Sequence, residues 1–253
     1  MFDAQKLLDQ FLGAGSAGSV GAGSGSSAGR AASGVGQGAG DFLGDLQRQA
    51  AANPLASGAL AGGLASILLS SRGGRKLGGN AVKMGGMALV AGLAYKAYQD
   101  WQAKQAGQTV APNRAPEIAP PPKDTAFLPS GRAANDRAQL ILTAMIAAAK
   151  ADGHIDQEEQ NRIFQRLDTL SVDSEAKAYL MDQLRAPLDL DAIVRQAQSP
   201  EVAMEVYAAS LLAIDPDHPA EKAYLQMLAA RLGLADDLVR EIHELAEASE
   251  ARA

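Results

Sequence analysis

The chain has 253 residues and no cysteine, which excludes thiol catalysis, disulfides and thiolate metal sites. Its formal net charge of −6 is unevenly divided, because residues 1–131 hold 11 Lys and Arg against 7 Asp and Glu, whereas residues 132–253 hold 12 against 22. Two modules with different surroundings are therefore predicted, and the acidic second one is expected to attract cations and to repel nucleic acid.

Residues 1–54 are predicted to form a flexible region, rich in Gly, Ser and Ala, that contains short amphipathic helices. Within residues 2–12 most of the apolar side chains fall on one helical face. A weakly ordered terminus is the alternative. Residues 13–40 have too few large apolar side chains to offset the entropy of ordering, so a linker is predicted there.

Residues 55–101 are predicted to form an apolar helical hairpin and are a candidate membrane segment. The stretches 55–71 and 84–95 carry no charge, and a basic turn from Arg72 to Lys76 follows the first of them. Small residues in both stretches would allow two helices to approach closely in lipid. Because a spanning helix needs about 20 apolar residues, a soluble glycine-rich hairpin is the alternative.

Residues 102–131 contain three consecutive prolines and are predicted to be an extended, semi-rigid linker. No segment of residues 132–253 alternates like a strand. The predicted fold class is therefore all-α, with a C-terminal bundle of about seven helices.

Helix boundaries within this bundle carry local signals. Ser199 is expected to cap a helix that begins at Pro200, and Gly233 is expected to end the helix after it. Leu238, Ile242 and Leu245 mark the apolar face of the last helix.

Two acidic turns in the bundle are candidate sites. The first, KADGHIDQEE, follows a long apolar helix, and DPDHPAE repeats the arrangement further along the chain. Capping explains Gly153, Asp156 and Glu159. It does not explain Asp152, whose charge lies at a helix C-terminus, where the helix dipole disfavours it.

Packing of the two helix pairs as an internal repeat would bring these carboxylates to one side of the molecule. Oxygen ligands favour hard cations, so calcium or magnesium is the predicted cofactor. Capped turns on a solvated acidic face are the alternative. The candidate metal ligands are Asp152, Asp156, Glu159, Asp215, Asp217 and Glu221.

No catalytic residue is predicted. No nucleophile has an evident base and orienting partner, and the segment from His243 to Glu247 lacks the second histidine of a zinc-protease helix. The chain is therefore expected not to be an enzyme. A soluble metal-dependent hydrolase or phosphoryl-transfer enzyme that uses the paired acidic turns is the alternative.

The residues around both turns resemble a known family. LILTAMIAAAKADGHIDQEEQNRIFQRL and LLAIDPDHPAEKAYLQMLAARLGL are similar to the TerB-like tellurite-resistance domain, and the resemblance covers roughly residues 130–250. The whole layout is similar to that of YebE-type bacterial inner-membrane proteins of unknown function. The resemblance implies an all-helical bundle with acidic turns, no established catalysis, and a link to metal-ion or envelope stress.

These observations together predict a non-catalytic protein associated with the bacterial inner membrane, with a cytoplasmic location as the alternative. The acidic domain is expected to bind a divalent cation or a basic protein partner, and no nucleic acid.

Overall fold

The computed structural model describes residues 2–12, 85–108, 118–122, 125–151, 173–214 and 219–250. These residues contain eight α-helices and no strand, which confirms the predicted all-α class. In chain order, the helices are α1 (Ala4–Leu12), α2 (Gly86–Gln105), α3 (Gly131–Ala149), α4 (Ser174–Arg185), α5 (Leu190–Gln196), α6 (Pro200–Leu212), α7 (Pro219–Leu232) and α8 (Asp236–Glu250).

The helix ends that the sequence signalled are found in the structure. The hydroxyl of Ser199 accepts a hydrogen bond from the backbone N–H of Val202 at 3.4 Å, and Pro200 is the first residue of α6. Gly233, which follows α7, has a φ of 68°, a left-handed conformation that glycine adopts without strain. The apolar residues Ile163, Phe164, Leu167 and Leu170 also predict a helix, which lies outside the described residues.

Helix α6 is central to the bundle. It packs against α2, α3, α7 and α8, and each of its ten residues from Val202 to Leu211 is buried. A helix that is buried on all sides needs small or apolar residues around its whole circumference. Alanine, valine, leucine and methionine supply most of these positions, and Glu205 and Ser210 are the polar ones.

Helices α1 and α2 belong to the same core. Helix α2 packs against α1, α6 and α8, and α1 packs against α2 and α3. Leu89 and Leu93 of α2 and Leu8 of α1 are at most 1% exposed. The apolar residues of α2 are therefore buried by protein in this structure.

Aromatic side chains of α2 pack around Phe127. The ring centroid of Phe127 lies 5.4 Å from that of Tyr95 and 6.4 Å from that of Tyr98, and Trp101 stacks on Tyr98. Phe127 is 4% exposed. The described end of the proline-rich segment thus covers one side of α2.

The described residues on both sides of residue 131 belong to one compact unit. Residues 13–84, including the first apolar stretch, lie outside the described residues. Among the helices that the structure describes, none combines the length and the apolar character needed to cross a bilayer.

The junction between α1 and α2 depends on a close backbone approach. A Cβ atom on Gly86 would lie 2.5 Å from the carbonyl oxygen of Leu8, so the two helices meet where only glycine fits. Gly85 precedes α2 with a φ of 78° and offers no capping side chain. Instead, the carboxylate of Asp9 in α1 accepts a hydrogen bond from the N–H of Gly86 at 2.6 Å.

Replacing Asp9 with alanine is expected to lower the free energy of unfolding by about 1 kcal/mol, the usual effect of losing a helix cap. Urea denaturation followed by circular dichroism measures the change. Asp9→Asn keeps an acceptor oxygen and should cost less, since burial raises the pKa of Asp9 and disfavours its charge. Equal losses for the two variants would contradict the capping role.

Candidate functional site

Five of the six predicted metal ligands lie outside the described residues. These are Asp152, Asp156, Glu159, Asp215 and Asp217. The proposed meeting of the two acidic turns therefore stays a prediction. Within the described ranges, no three His, Asp or Glu side chains are grouped so that they could hold a metal ion.

Glu221, the sixth residue, lies in the first turn of α7 and is only 3% exposed. A carboxylate in the first turn is favoured by the positive end of the helix dipole. The burial of Glu221 sets it apart from a solvated surface acid, because a buried charge requires compensating interactions.

A groove separates the last two helices, although they are consecutive in the chain. Helix α8 packs mainly against α2, whereas α7 packs against α3, α5 and α6, so the two helices diverge from the turn at Gly233. The space between them, floored by α6, is called here the α7–α8 groove and has a volume of about 620 Å³. Its lining residues are Tyr207, Leu211, Ile214, Lys222, Leu225, Gln226, Ala229, Ala230, Asp236, Val239, His243, Ala246 and Glu247.

One polar pair lies in the lining of this groove. The hydroxyl of Tyr207 is 2.8 Å from Nε2 of His243, and the histidine tautomer decides which atom donates. Burial lowers the pKa of His243, an effect that Glu247 partly opposes, and burial raises the pKa of Tyr207 to about 12. Both side chains are therefore uncharged near pH 7, and each is a hydrogen-bond partner for the other.

His243 should titrate below the ordinary histidine pKa of about 6.5. The chain has three histidines, so proton NMR across a pH series should show one imidazole with a depressed pKa. That resonance should be missing from the spectrum of His243→Gln. The burial of His243 would be contradicted if the missing resonance titrated at or above the ordinary value.

Helix α8 is strongly acidic, and two of its acidic residues line the groove. Its sequence, DDLVREIHELAEASE, contains six acidic residues and one basic residue. Glu241 is paired with Lys104 of α2, and Asp237 accepts a hydrogen bond from Gln105 at 2.7 Å. These two acids hold α8 against α2, whereas Asp236 and Glu247 are exposed and line the groove.

A second pocket of about 550 Å³ lies between α3, α4 and α5. On one wall, the Thr143 and Tyr179 hydroxyls are 2.6 Å apart, and Tyr179 donates to the carbonyl of Gln139. Lys150 donates to the carbonyls of Gln183 and Ala186 at the end of α4, and burial lowers its pKa. The first residue of the KADGHIDQEE turn therefore ties α3 to α4.

A buried ion pair joins α3 to α6. Glu205 is fully buried and pairs with Arg137, whose side chain is 16% exposed. The second carboxylate oxygen of Glu205 has no hydrogen-bond partner among the described residues. Burial, which outweighs the attraction of Arg137, raises the pKa of Glu205 to about 7.

Sequence reasoning missed both the Glu205 pair and the Tyr207–His243 pair. The partners in each pair are far apart in the chain, 68 and 36 residues respectively. One signal was present, since a glutamate in the otherwise apolar helix of residues 200–212 is unusual unless it is paired. The partner itself has no local signature.

The fold and the groove define an all-α protein with an acidic surface cleft. The chain belongs to the DUF533 family, described as a protein of unknown function, which matches residues 54–246. It is also similar to an uncharacterized protein in the ampR 5′ region of Yersinia enterocolitica, with 31% identity over 104 residues, or 41% of this chain and 75% of that relative. No solved structure matches.

Proposed function

We propose that this protein is a non-catalytic, membrane-associated binding protein whose acidic helical region, residues 132–253, binds a basic protein partner or a divalent cation. The observation that carries the proposal is the acidic helix α8, which borders an open apolar groove. Charge of one sign beside a cleft raises the local concentration of oppositely charged ligands.

Resemblance to the TerB-like domain supports the same assignment. That resemblance covers both acidic turns, and it adds a role in envelope or metal-ion stress to the proposal. The proposed binding is not coupled to a reaction.

The cation part is tested by calorimetric titration of the full chain with calcium, magnesium and manganese. The full chain is needed because α1 and α2 share the core with the later helices. Binding heats that Asp152→Asn/Asp215→Asn abolishes would support the site. Negligible heats for the wild-type protein would reject cation binding.

The membrane part rests on the uncharged stretch 55–71 and the basic residues Arg72, Arg75 and Lys76 that follow it. Basic residues beside an apolar segment favour the cytoplasmic face of the inner membrane. Carbonate extraction of cell membranes distinguishes an inserted chain from a peripheral one. Release of the full chain into the supernatant would reject insertion of residues 55–71.

A further inference from the structure

We infer that the α7–α8 groove is the docking site for a basic amphipathic helix of a protein partner. This inference deepens the proposed function, on which it rests, because it assigns the basic partner to one surface.

The dimensions of the groove suit a helix. Its walls are helices of 14 and 15 residues, so each wall is about 21 Å long at 1.5 Å per residue. That length matches about four turns of a docked helix. Ala229, Ala230 and Ala246 line the groove, and their small side chains leave room for larger side chains of the partner.

The chemistry of the floor suits an apolar stripe. Leu211 and Ile214 lie beneath the groove and Leu225 lies at the base of its α7 wall, each at most 9% exposed, and amphipathic helices present apolar side chains at every third or fourth position. The Tyr207–His243 pair is the polar part of the floor. Since its two members are uncharged and bonded to each other, apolar side chains can cover them without leaving a charge unpaired.

The acidic residues that line the groove indicate a basic partner. Asp236 and Glu247 stand on the same wall, eleven residues apart, which corresponds to about 16 Å along α8. Lysine or arginine residues three turns apart on the partner would meet both of them. Lys222 on the opposite wall would repel a base, so the partner's basic residues should be concentrated on its α8 side. The groove therefore favours a helix with basic residues along one flank. The position of that flank beside α8 sets the orientation of the helix in the groove.

The test uses fluorescence anisotropy with the full chain and a fluorescein-labelled, 18-residue helical peptide of leucine and lysine, with leucines on one face. A peptide with glutamate in place of lysine is the charge control. The wild-type protein is expected to bind the lysine peptide at least tenfold more tightly than the glutamate peptide.

Two protein variants probe the groove itself. Ala230→Trp fills it from an exposed position on α7 and should weaken binding about tenfold while leaving the circular dichroism melt unchanged. Asp236→Asn/Glu247→Gln should weaken binding about fivefold, since exposed charge pairs contribute only modestly. The matched control, Asp136→Asn/Asp182→Asn, removes the same charge from exposed positions on α3 and α4 and should change binding less than twofold.

The outcomes separate the groove from the wider proposal. Tight binding that Ala230→Trp leaves unchanged, or that the control variant weakens as much as the groove variant, would overturn the docking site and leave a basic partner in place. Failure of the wild-type protein to bind either peptide would overturn the docking site and the basic partner, and the cation part of the proposed function would still be decided by the calorimetric titration. A wild-type dimer that Ala230→Trp converts to a monomer would assign the groove to a second copy and also overturn the inference.

Discussion

Arg137→Ala is expected to lower the free energy of unfolding by about 3–5 kcal/mol at pH 8, the range for breaking a buried ion pair by removing one partner. Glu205 is 0% exposed in the middle of α6, so its carboxylate cannot recover hydration when Arg137 is lost. The helix pair α3–α6, which Arg137 and Glu205 join, is a central contact of the bundle.

Chemical denaturation with urea, followed by circular dichroism, measures this loss. Arg132→Ala is the matched control, because Arg132 lies on the same helix in an exposed pair with Asp136 at 3.8 Å and should cost less than about 0.5 kcal/mol. Arg137→Ala/Glu205→Leu should recover part of the stability, since it removes the unpaired charge. A loss below about 1 kcal/mol for Arg137→Ala would show that the pair contributes little.

The loss should also depend on pH. The pKa of Glu205 in the folded state, about 7, is above its ordinary value of 4.5, so the folded state binds a proton that the unfolded state releases. This group therefore favours folding fully below about pH 4.5, and that contribution is lost as the pH rises through 7. Arg137→Ala should be better tolerated at pH 5 than at pH 8, because Glu205 is then protonated and neutral.

Gly86→Ala is expected to lower the free energy of unfolding by about 1–3 kcal/mol, as overpacking of a well-packed contact does. Alanine normally stabilises a helix by about 1 kcal/mol relative to glycine, so any loss of stability in this variant must come from contacts. The added methyl group would meet the carbonyl oxygen of Leu8 and the Cβ of Leu12 at 2.5 and 2.9 Å. Backbone cannot move aside as a flexible side chain can, so α1 must shift.

Displacement of α1 distinguishes this variant from one that is merely less stable. Limited proteolysis should cut Gly86→Ala within residues 2–12 faster than the wild-type chain. Gly107→Ala is the comparison, because Gly107 has a φ of 74° and open space around it, so alanine there adds backbone strain of about 1 kcal/mol without touching α1. Equal cleavage of the two variants would argue against the close approach at Gly86.

Helix boundaries were predictable from sequence because their signals are local. Ser199, Pro200 and Gly233 act on the backbone within one turn, and the stripe of Leu238, Ile242 and Leu245 is read directly from the helical period. All three of these leucine and isoleucine side chains are buried, at 0–6% exposure. Such features do not depend on which surface the helix meets.

The surroundings of α2 could not be predicted, because local signals do not show which surface a helix meets. Leucine, alanine and glycine at close-packing spacing suit lipid or protein equally, and hydropathy does not distinguish them. Gly92 illustrates the ambiguity: its small size suits a helix pair in a membrane, yet here a Cβ atom would lie 2.6 Å from the carbonyl oxygen of Ala119. Membrane association therefore stays a prediction, resting on residues 55–71.

The candidate groove could not be predicted from the sequence either. In the sequence, His243 belongs to a segment that lacks the second histidine of a zinc-protease helix, and nothing local marks Tyr207 as its partner. The groove exists because α8 is bound to α2, which is more than 130 residues away in the chain. Long-range pairing of this kind leaves no trace in local periodicity. The acidic character of α8, by contrast, is visible in the printed sequence.

The hydrogen bond from Gly86 to Asp9 has a topological consequence. Leu12 and Gly85, the described residues on either side of residues 13–84, both lie at the α1–α2 junction, so the two ends of that segment are held close together. The entropy of closing such a segment changes by only about 0.6 kcal/mol for each doubling of length. A change in the length of residues 13–84 is therefore expected to alter the stability of the described helices only slightly.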